Sequence, residues 1–196
     1  MFKQHEYQSQ RFEKLDHSYE ELNDKRFDDC TFIDCNFSEA TFDACQFIDC
    51  HFIRCNLNLV QLGYSQLRDV RFEHCKLLGI DWTRVNWPNF LFSAPVQFDQ
   101  CLLSEGSFYG LKLNELQMLE CKAHNLDLRE ADLSDADLSH TDFTGAQFHN
   151  TNLSNANFAE AIAYDINIFN NPVKGAKFSR FEATSLLESL EIELLD

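Results

Sequence analysis

From Cys30 to Leu57 the chain divides without a gap into CTFID, CNFSE, ATFDA, CQFID, CHFIR and CNL. A large apolar residue recurs every fifth position at Phe32, Phe37, Phe42, Phe47, Phe52 and Leu57, and two residues before each stands Cys30, Cys35, Ala40, Cys45, Cys50 or Cys55. A period of five fits neither regular element. On a helix each step of five turns the side chain by roughly 140°, so the phenylalanines would spiral around it. In a flat strand successive odd steps would send them to opposite faces. One backbone brings them all inside: positions i−2 and i share one side of a short extended segment, and the next two residues turn a corner. Side and corner in alternation wind the chain into a tube around its own core.

The frame extends through most of the chain, which makes it an architecture and not a local run. Backward it reaches Phe27 and Leu22; forward it gives Leu62, Leu67, Phe72, Leu77, Trp82, Trp87 and Phe92. It then slips by one residue and resumes as Phe98, Leu103, Phe108, Leu113, Met118, Ala123, Leu128, Leu133, Leu138, Phe143, Phe148, Leu153, Phe158, Ala163, Ile168, Val173 and Phe178. Pro88 and Pro95 flank the slip at 93–97, where a bend tolerates a missing amide hydrogen. Residues 1–21 are polar, hold one candidate centre at Phe12, and read as a loose amino-terminal cap before a solenoid at 22–180. In the closing segment, 181–196, Ala183, Leu186, Leu187 and Leu190 recur at helical spacing, with Ser185 and Glu188 placed as a capping box. Leu190, Ile192 and Leu194 then alternate with glutamates, the pattern of a strand.

Units such as READL, SDADL, SHTDF, TGAQF, HNTNL and SNANF, at 129–158, resemble the A(D/N)LxX unit of the pentapeptide-repeat family over roughly residues 22–180. The resemblance implies an all-β solenoid: a right-handed quadrilateral β-helix of about eight coils, four units to a coil, with a short carboxyl-terminal helix as cap. Residues twenty apart would then stack, with Phe32, Phe52, Phe72 and Phe92 as one column. Coils about 4.8 Å apart give a rod on the order of 40 Å long. Such a rod needs caps at both ends.

The eight cysteines, Cys30, Cys35, Cys45, Cys50, Cys55, Cys75, Cys101 and Cys121, all stand at i−2, where a small apolar side chain is wanted. Stacked pairs such as Cys35 and Cys55 fall within disulfide reach, but a reducing cytosol favours the thiols. No Cys-x2-Cys and histidine spacing marks a zinc site, and no cofactor motif occurs. A filled tube offers flat walls and no concave site for a nucleophile and base. His5, His17, His51, His74, His124, His140 and His149 fall at scattered outward or cap positions. The reading is therefore a binding protein and not an enzyme. No apolar run is long enough to span a bilayer, and the start lacks a signal-like stretch, so the expected location is the cytoplasm.

Thirty-two acidic residues against sixteen basic leave a net charge of −16, and no Lys or Arg occurs between Glu130 and Val173. Solubility and the unit's own preference for Asp at i−1 account for part of this. The functional alternative is imitation of nucleic acid: a two-subunit rod would carry about one charge per 2.5 Å, against one per about 1.7 Å in duplex DNA. Such a surface suits a basic DNA-binding saddle and argues against direct nucleic-acid binding. The carboxyl-terminal pattern is similar to that of the quinolone-resistance and microcin-immunity branches of the family. That resemblance implies a type II topoisomerase (DNA gyrase or topoisomerase IV) as partner, protected from a quinolone or a peptide toxin. It also implies a homodimer joined tip to tip through Leu186, Leu187, Leu190, Ile192 and Leu194. Unlike the larger quinolone-resistance proteins, the chain shows only a one-residue slip where they carry a long loop that helps protect the enzyme. The residues expected to meet the partner are Asp127, Glu130, Asp132, Asp135, Asp137 and Asp142, with the jog at Ser93, Ala94 and Pro95. A scaffold for another protein partner is the alternative.

Overall fold

The computed structural model describes residues 2–88 and 94–192. Within them the five-residue frame closes into a right-handed quadrilateral β-helix of about eight turns, finished by one short helix. Arg26–Asp28 pairs in parallel with Glu6–Gln8 on one side and Gln46–Ile48 on the other, each at an offset of twenty residues, so four units make a coil. We number the walls in chain order. Wall one stacks Tyr7, Phe27, Phe47 and Leu67; wall two, Phe12, Phe32, Phe52 and Phe72; wall three, His17, Phe37, Leu57 and Leu77; wall four, Leu22, Phe42, Leu62 and Trp82. Walls one and two carry most of the strands, while walls three and four stack through single bridges such as Asn36↔Asn56 and Thr41↔Gln61. Phe32 lies 4.6 Å, centroid to centroid, from Phe52 and nearly parallel to it, and Phe52 lies 5.1 Å from Phe72. Each such ring stabilises the coil by about 1.5–3 kcal/mol through burial, with about 0.5–1.5 kcal/mol more per aromatic pair.

The corners explain the cysteines more fully than size does. At some corners the chain closes its own turn, as where Val60 N–H donates to Leu57 O at 3.2 Å. At others the closing bond is absent and a side chain from the next coil bridges it. The amide of Cys55 donates to Cys75 Sγ at 3.4 Å, and that thiol donates to Phe52 O at 3.3 Å, the carbonyl the turn would otherwise have used. Cys101 bridges Cys75 N–H to Phe72 O in the same way. Ser65 does so for Cys45 and Phe42, and Thr141 for Cys121 and Met118. A thiol or hydroxyl at i−2 thus satisfies two buried backbone groups that would otherwise be orphaned. Burial pushes the Cys45 thiol up to about 11 and the Cys50 thiol up to about 12, and holds Cys75 up as well. Because all eight cysteines are buried, with no more than 2% of their surface exposed, none is expected to react with iodoacetamide at pH 8 in the folded chain, whereas all eight react in denaturant. Mass spectrometry counts the adducts.

The slip is larger than the sequence suggests. Val70 pairs with Val96 and Phe72 with Phe98, offsets of 26 where other coils show twenty, so six residues have been inserted. A frame of five cannot distinguish six extra residues from one. Phe98, 5.5 Å from Phe72, therefore takes the place in the wall-two column that the spacing assigns to Phe92. Ahead of the insertion Trp87 is half-buried and donates its indole N–H to Trp82 O at 2.8 Å. Of the predicted jog, Ala94 packs against the core and Pro95 O accepts the Val70 amide. Phe92 and Ser93 lie outside the described residues.

Both ends also differ from expectation. Residues 6–21 form a coil and not a loose cap: Glu6–Gln8 and Arg11–Glu13 join the ladders of walls one and two. His17, expected at an outward or cap position, is a buried wall-three centre parallel to Phe37, with Nδ1 2.6 Å from Glu20 Oε2. Phe2 plugs this end, ring to ring with Tyr7, Phe12, His17 and Phe27. In the last coil Ala163 turns outward with positive φ, and Tyr164 and Ile166 are the inward residues instead. The closing helix, Glu182–Leu190, is a 3₁₀ helix beginning after Phe181 with no side-chain cap. Ser185, predicted to cap it, lies inside it and donates to Glu182 O at 2.8 Å. Glu191, left-handed at φ 53°, ends the helix. The predicted strand beyond it lies mostly outside the described residues, and Leu194 wholly so.

Candidate partner-binding surfaces

The acidic residues singled out from the sequence do not share a surface. Five residues along the chain is one quarter of a turn, so Asp127, Asp132, Asp137 and Asp142 occupy walls four, one, two and three of successive units. Each also has a local task. Asp132 Oδ1 accepts Ser134 N–H at 3.1 Å and Asn152 Nδ2 at 2.9 Å; Asp137 Oδ1 accepts Ser139 N–H at 3.2 Å and Asn157 Nδ2 at 3.0 Å. Asp142 holds Thr144 and sits 2.8 Å from His124 Nε2. Asp127 receives Nε and an Nη of Arg129 at 2.9 and 2.8 Å. The i−1 aspartates thus pin the i+1 backbone, and Asn in the next coil relieves the repetition of charge.

What the twenty-residue wrap does bring together is one corner. Between walls one and two, the i+2 position in successive coils is Ser9, Asp29, Asp49 and Asp69, then, beyond the insertion, Glu115, Asp135 and Asn155. Of the predicted residues only Asp135 belongs to this column. Every member has positive φ, which Asp and Asn tolerate better than most residues. That preference does not dictate acid, since the same position at the other corners is filled by Tyr19, Ala44, Arg54 and Leu59. The neighbouring corner, between walls two and three, mixes its signs: Lys14, Asp34, Arg54, His74, Gln100, Glu120. There Arg54 grips both oxygens of Asp34 at 2.7 and 2.9 Å. Asp29 accepts Ser9 Oγ at 2.7 Å, but none of the five corner acids joins an ion pair among the described residues. Within the runs Asp29 to Asp69 and Glu115 to Asp135, neighbours stacked about 4.8 Å apart repel one another, which makes the column unfavourable for the fold alone. In the chain the six extra residues fall between Trp87 and Val96, and so between Asp69 and Glu115 of this column. The signal was present in the sequence but invisible at a period of five.

Ion pairing sets the acid response. The Arg54 guanidinium holds Asp34 below the usual carboxylate range, and that of Arg129 does the same for Asp127. A carboxyl whose folded pKa is depressed stabilises the fold above its unfolded pKa of about 3.9 and loses that contribution as pH falls through the folded value. The stability difference between the native chain and Arg129→Ala should therefore be present at pH 7 and vanish as pH drops from about 4, as read from urea titrations.

The carboxyl-terminal tip is apolar. Leu186 packs against the core, Leu187 is half-buried, and Leu190 and Ile192 are exposed. The sequence reading missed Phe169 and Phe181, 72% and 87% exposed near the same end. Among the described residues no group of three His, Cys, Asp or Glu is placed to hold a metal ion, and no helix is long and apolar enough to cross a membrane.

Comparison with known proteins agrees with this geometry. The profile of a family described as a pentapeptide repeat region matches residues 25–95 and 93–183. No curated protein matches the chain by sequence. Two solved structures of trypsin-treated QnrB1, described as a plasmid-mediated fluoroquinolone resistance protein, share the fold. One aligns at TM-score 0.75 and 20% identity over 94% of this chain and 99% of that one; the other aligns at 0.64 and 20% over 94% and 100%. With parallel four-sided coils along most of its length and a family match over nearly all of them, the chain belongs to the pentapeptide-repeat family.

Proposed function

We propose that this rod binds a type II topoisomerase, DNA gyrase or topoisomerase IV, in the cytoplasm, presenting its acidic corner where the enzyme otherwise holds a DNA strand, and so shields the enzyme from a quinolone or a peptide toxin. The observation that carries this reading is the column Asp29, Asp49, Asp69, Glu115 and Asp135. Its charges recur about every 4.8 Å from Asp29 to Asp69 and again from Glu115 to Asp135, with one coil between the two runs, comparable with one phosphate per about 3.4 Å along a DNA strand. Repulsion within the column is relieved when cationic side chains meet it, so binding recovers what folding loses. The fold shared with QnrB1 over almost the whole rod supports the same assignment. A second copy, joined through Phe181, Leu187, Leu190 and Ile192 at the apolar tip, would extend the edge in the opposite direction.

The test is gyrase supercoiling with increasing amounts of purified chain. Inhibition, or protection of the enzyme from a quinolone, should weaken as salt rises, because exposed charges are screened over about 10 Å at 0.1 M ionic strength. No effect on gyrase or topoisomerase IV at low salt would transfer the weight to a scaffold role with another partner.

A further inference from the structure

Wall four and the two corners that bound it differ from the rest of the rod. Tyr19 and Leu59 stand at one edge, Tyr64 at the other, and Tyr109 and Phe169 on the wall itself. Among the described residues of the coils, these account for every large exposed apolar side chain except Ile162. Tyr19 and Tyr64 are 72% and 75% exposed, too open to contribute to the core. Around the rings lie Glu21, Glu39, Asp43, Asp81, Asp127 and Glu130, against Arg84 and Arg129 as cations.

One of those cations displays the chemistry of the surface. The Arg129 guanidinium sits 5.6 Å above the Tyr109 ring while Asp127 accepts two of its N–H groups. Ring and carboxylate together make a cradle for a planar cation, the arrangement in which cation–π attraction and charge-assisted hydrogen bonds add. Tyr19 beside Glu39 repeats the pair with no arginine over the ring among the described residues, and the Glu39 carboxylate raises the Tyr19 hydroxyl pKa above its ordinary value. Tyr64 overhangs an open depression of about 330 Å³ lined by Gly63, Thr83, Arg84, Val85 and Asn86.

We infer that wall four is a second protein-docking surface, separate from the acidic corner, which receives arginine side chains of a basic partner between its tyrosine rings and its carboxylates. An apolar partner would bury the intervening carboxylates unpaired, which is strongly unfavourable. Nucleic acid would set its phosphates against them. A basic protein segment satisfies both the rings and the acids, and tyrosine is enriched among residues that dominate protein interfaces.

The experiment uses the ¹⁵N-labelled full chain titrated with a nine-residue arginine peptide, and in parallel with a nine-residue lysine peptide and a glycine–serine peptide. Amide shifts are expected at Tyr19, Gly63, Tyr64 and Tyr109, with arginine binding more tightly than lysine by about threefold because the guanidinium stacks on the rings. The triple variant Tyr19→Ser, Tyr64→Ser, Tyr109→Ser should retain the native spectrum elsewhere and bind the arginine peptide about tenfold more weakly. Shifts confined to the corner of Asp29, Asp49 and Asp69, equal affinity of the native and triple-variant chains, or no saturable binding would each overturn the assignment. No topoisomerase enters this assay, so its outcome is independent of the function proposed above.

Discussion

Phe98→Ala is expected to lower the unfolding free energy by about 3–5 kcal/mol, the range for removing a fully buried phenylalanine when the site cannot collapse. Phe98 is wholly buried, parallel to Phe72 at 5.5 Å and edge-on to Trp82 at 5.3 Å and Phe108 at 6.0 Å. Its neighbours are fixed by coils above and below, so little can move in to fill the gap. It also anchors the first strand after the insertion, where Val96–Asp99 pairs with Val70–Glu73 before it and Gln117–Leu119 after it. Loss there loosens the junction between the two halves of the rod, and a solenoid is stabilised by nearest-neighbour contacts alone. Urea denaturation followed by circular dichroism gives the value. A loss below about 1 kcal/mol would mean that Phe98 does not continue the column.

The double variant Asp49→Lys, Asp69→Lys should separate function from fold. The native side chains are neighbours in a like-charged column with no ion pair, so reversing both removes repulsion from Asp29 and leaves the core untouched. Both sites have positive φ, a conformation that Lys14 and Arg54 already adopt at the neighbouring corner, so stability should fall by no more than about 1–2 kcal/mol and the chain should stay folded. The concentration of chain needed to inhibit or protect gyrase should rise at least about tenfold, since close charge pairs at such interfaces contribute about 1.5 kcal/mol or more. The control is Glu105→Lys with Glu120→Lys, exposed acids at the same left-handed turn position of two other corners, which should affect gyrase far less. Equal loss of effect in both variants would mean that overall charge matters and the corner does not.

The chain's inward residues were legible because burial imposes the period directly: Phe27 to Trp82 are where a five-residue frame puts them. The inward placement of the cysteines was legible too, but not their hydrogen-bonding role, because a thiol that bridges Cys55 N–H to Phe52 O depends on which corner leaves that amide open. The insertion was misjudged because six and one are the same number to a frame of five. His17 was misplaced since a polar residue at a centre is visible only when the frame is trusted above composition, and here Glu20 satisfies its ring. The candidate surface was least legible. Acids adjacent in sequence, such as Asp132 and Asp137, point in different directions, while Asp69 and Glu115, 46 residues apart in the chain, line one edge. Charge read along the chain therefore overestimates the region after Glu130 and misses the corner.

The most direct test is competition between this chain and DNA for the enzyme. A labelled duplex bound to gyrase, followed by fluorescence anisotropy at about 0.1 M salt, is titrated with the purified chain. Release of the duplex is predicted, less readily as salt rises and not at all with the Asp49→Lys, Asp69→Lys variant. Binding of the chain to the gyrase–DNA complex without displacing the duplex would contradict the account.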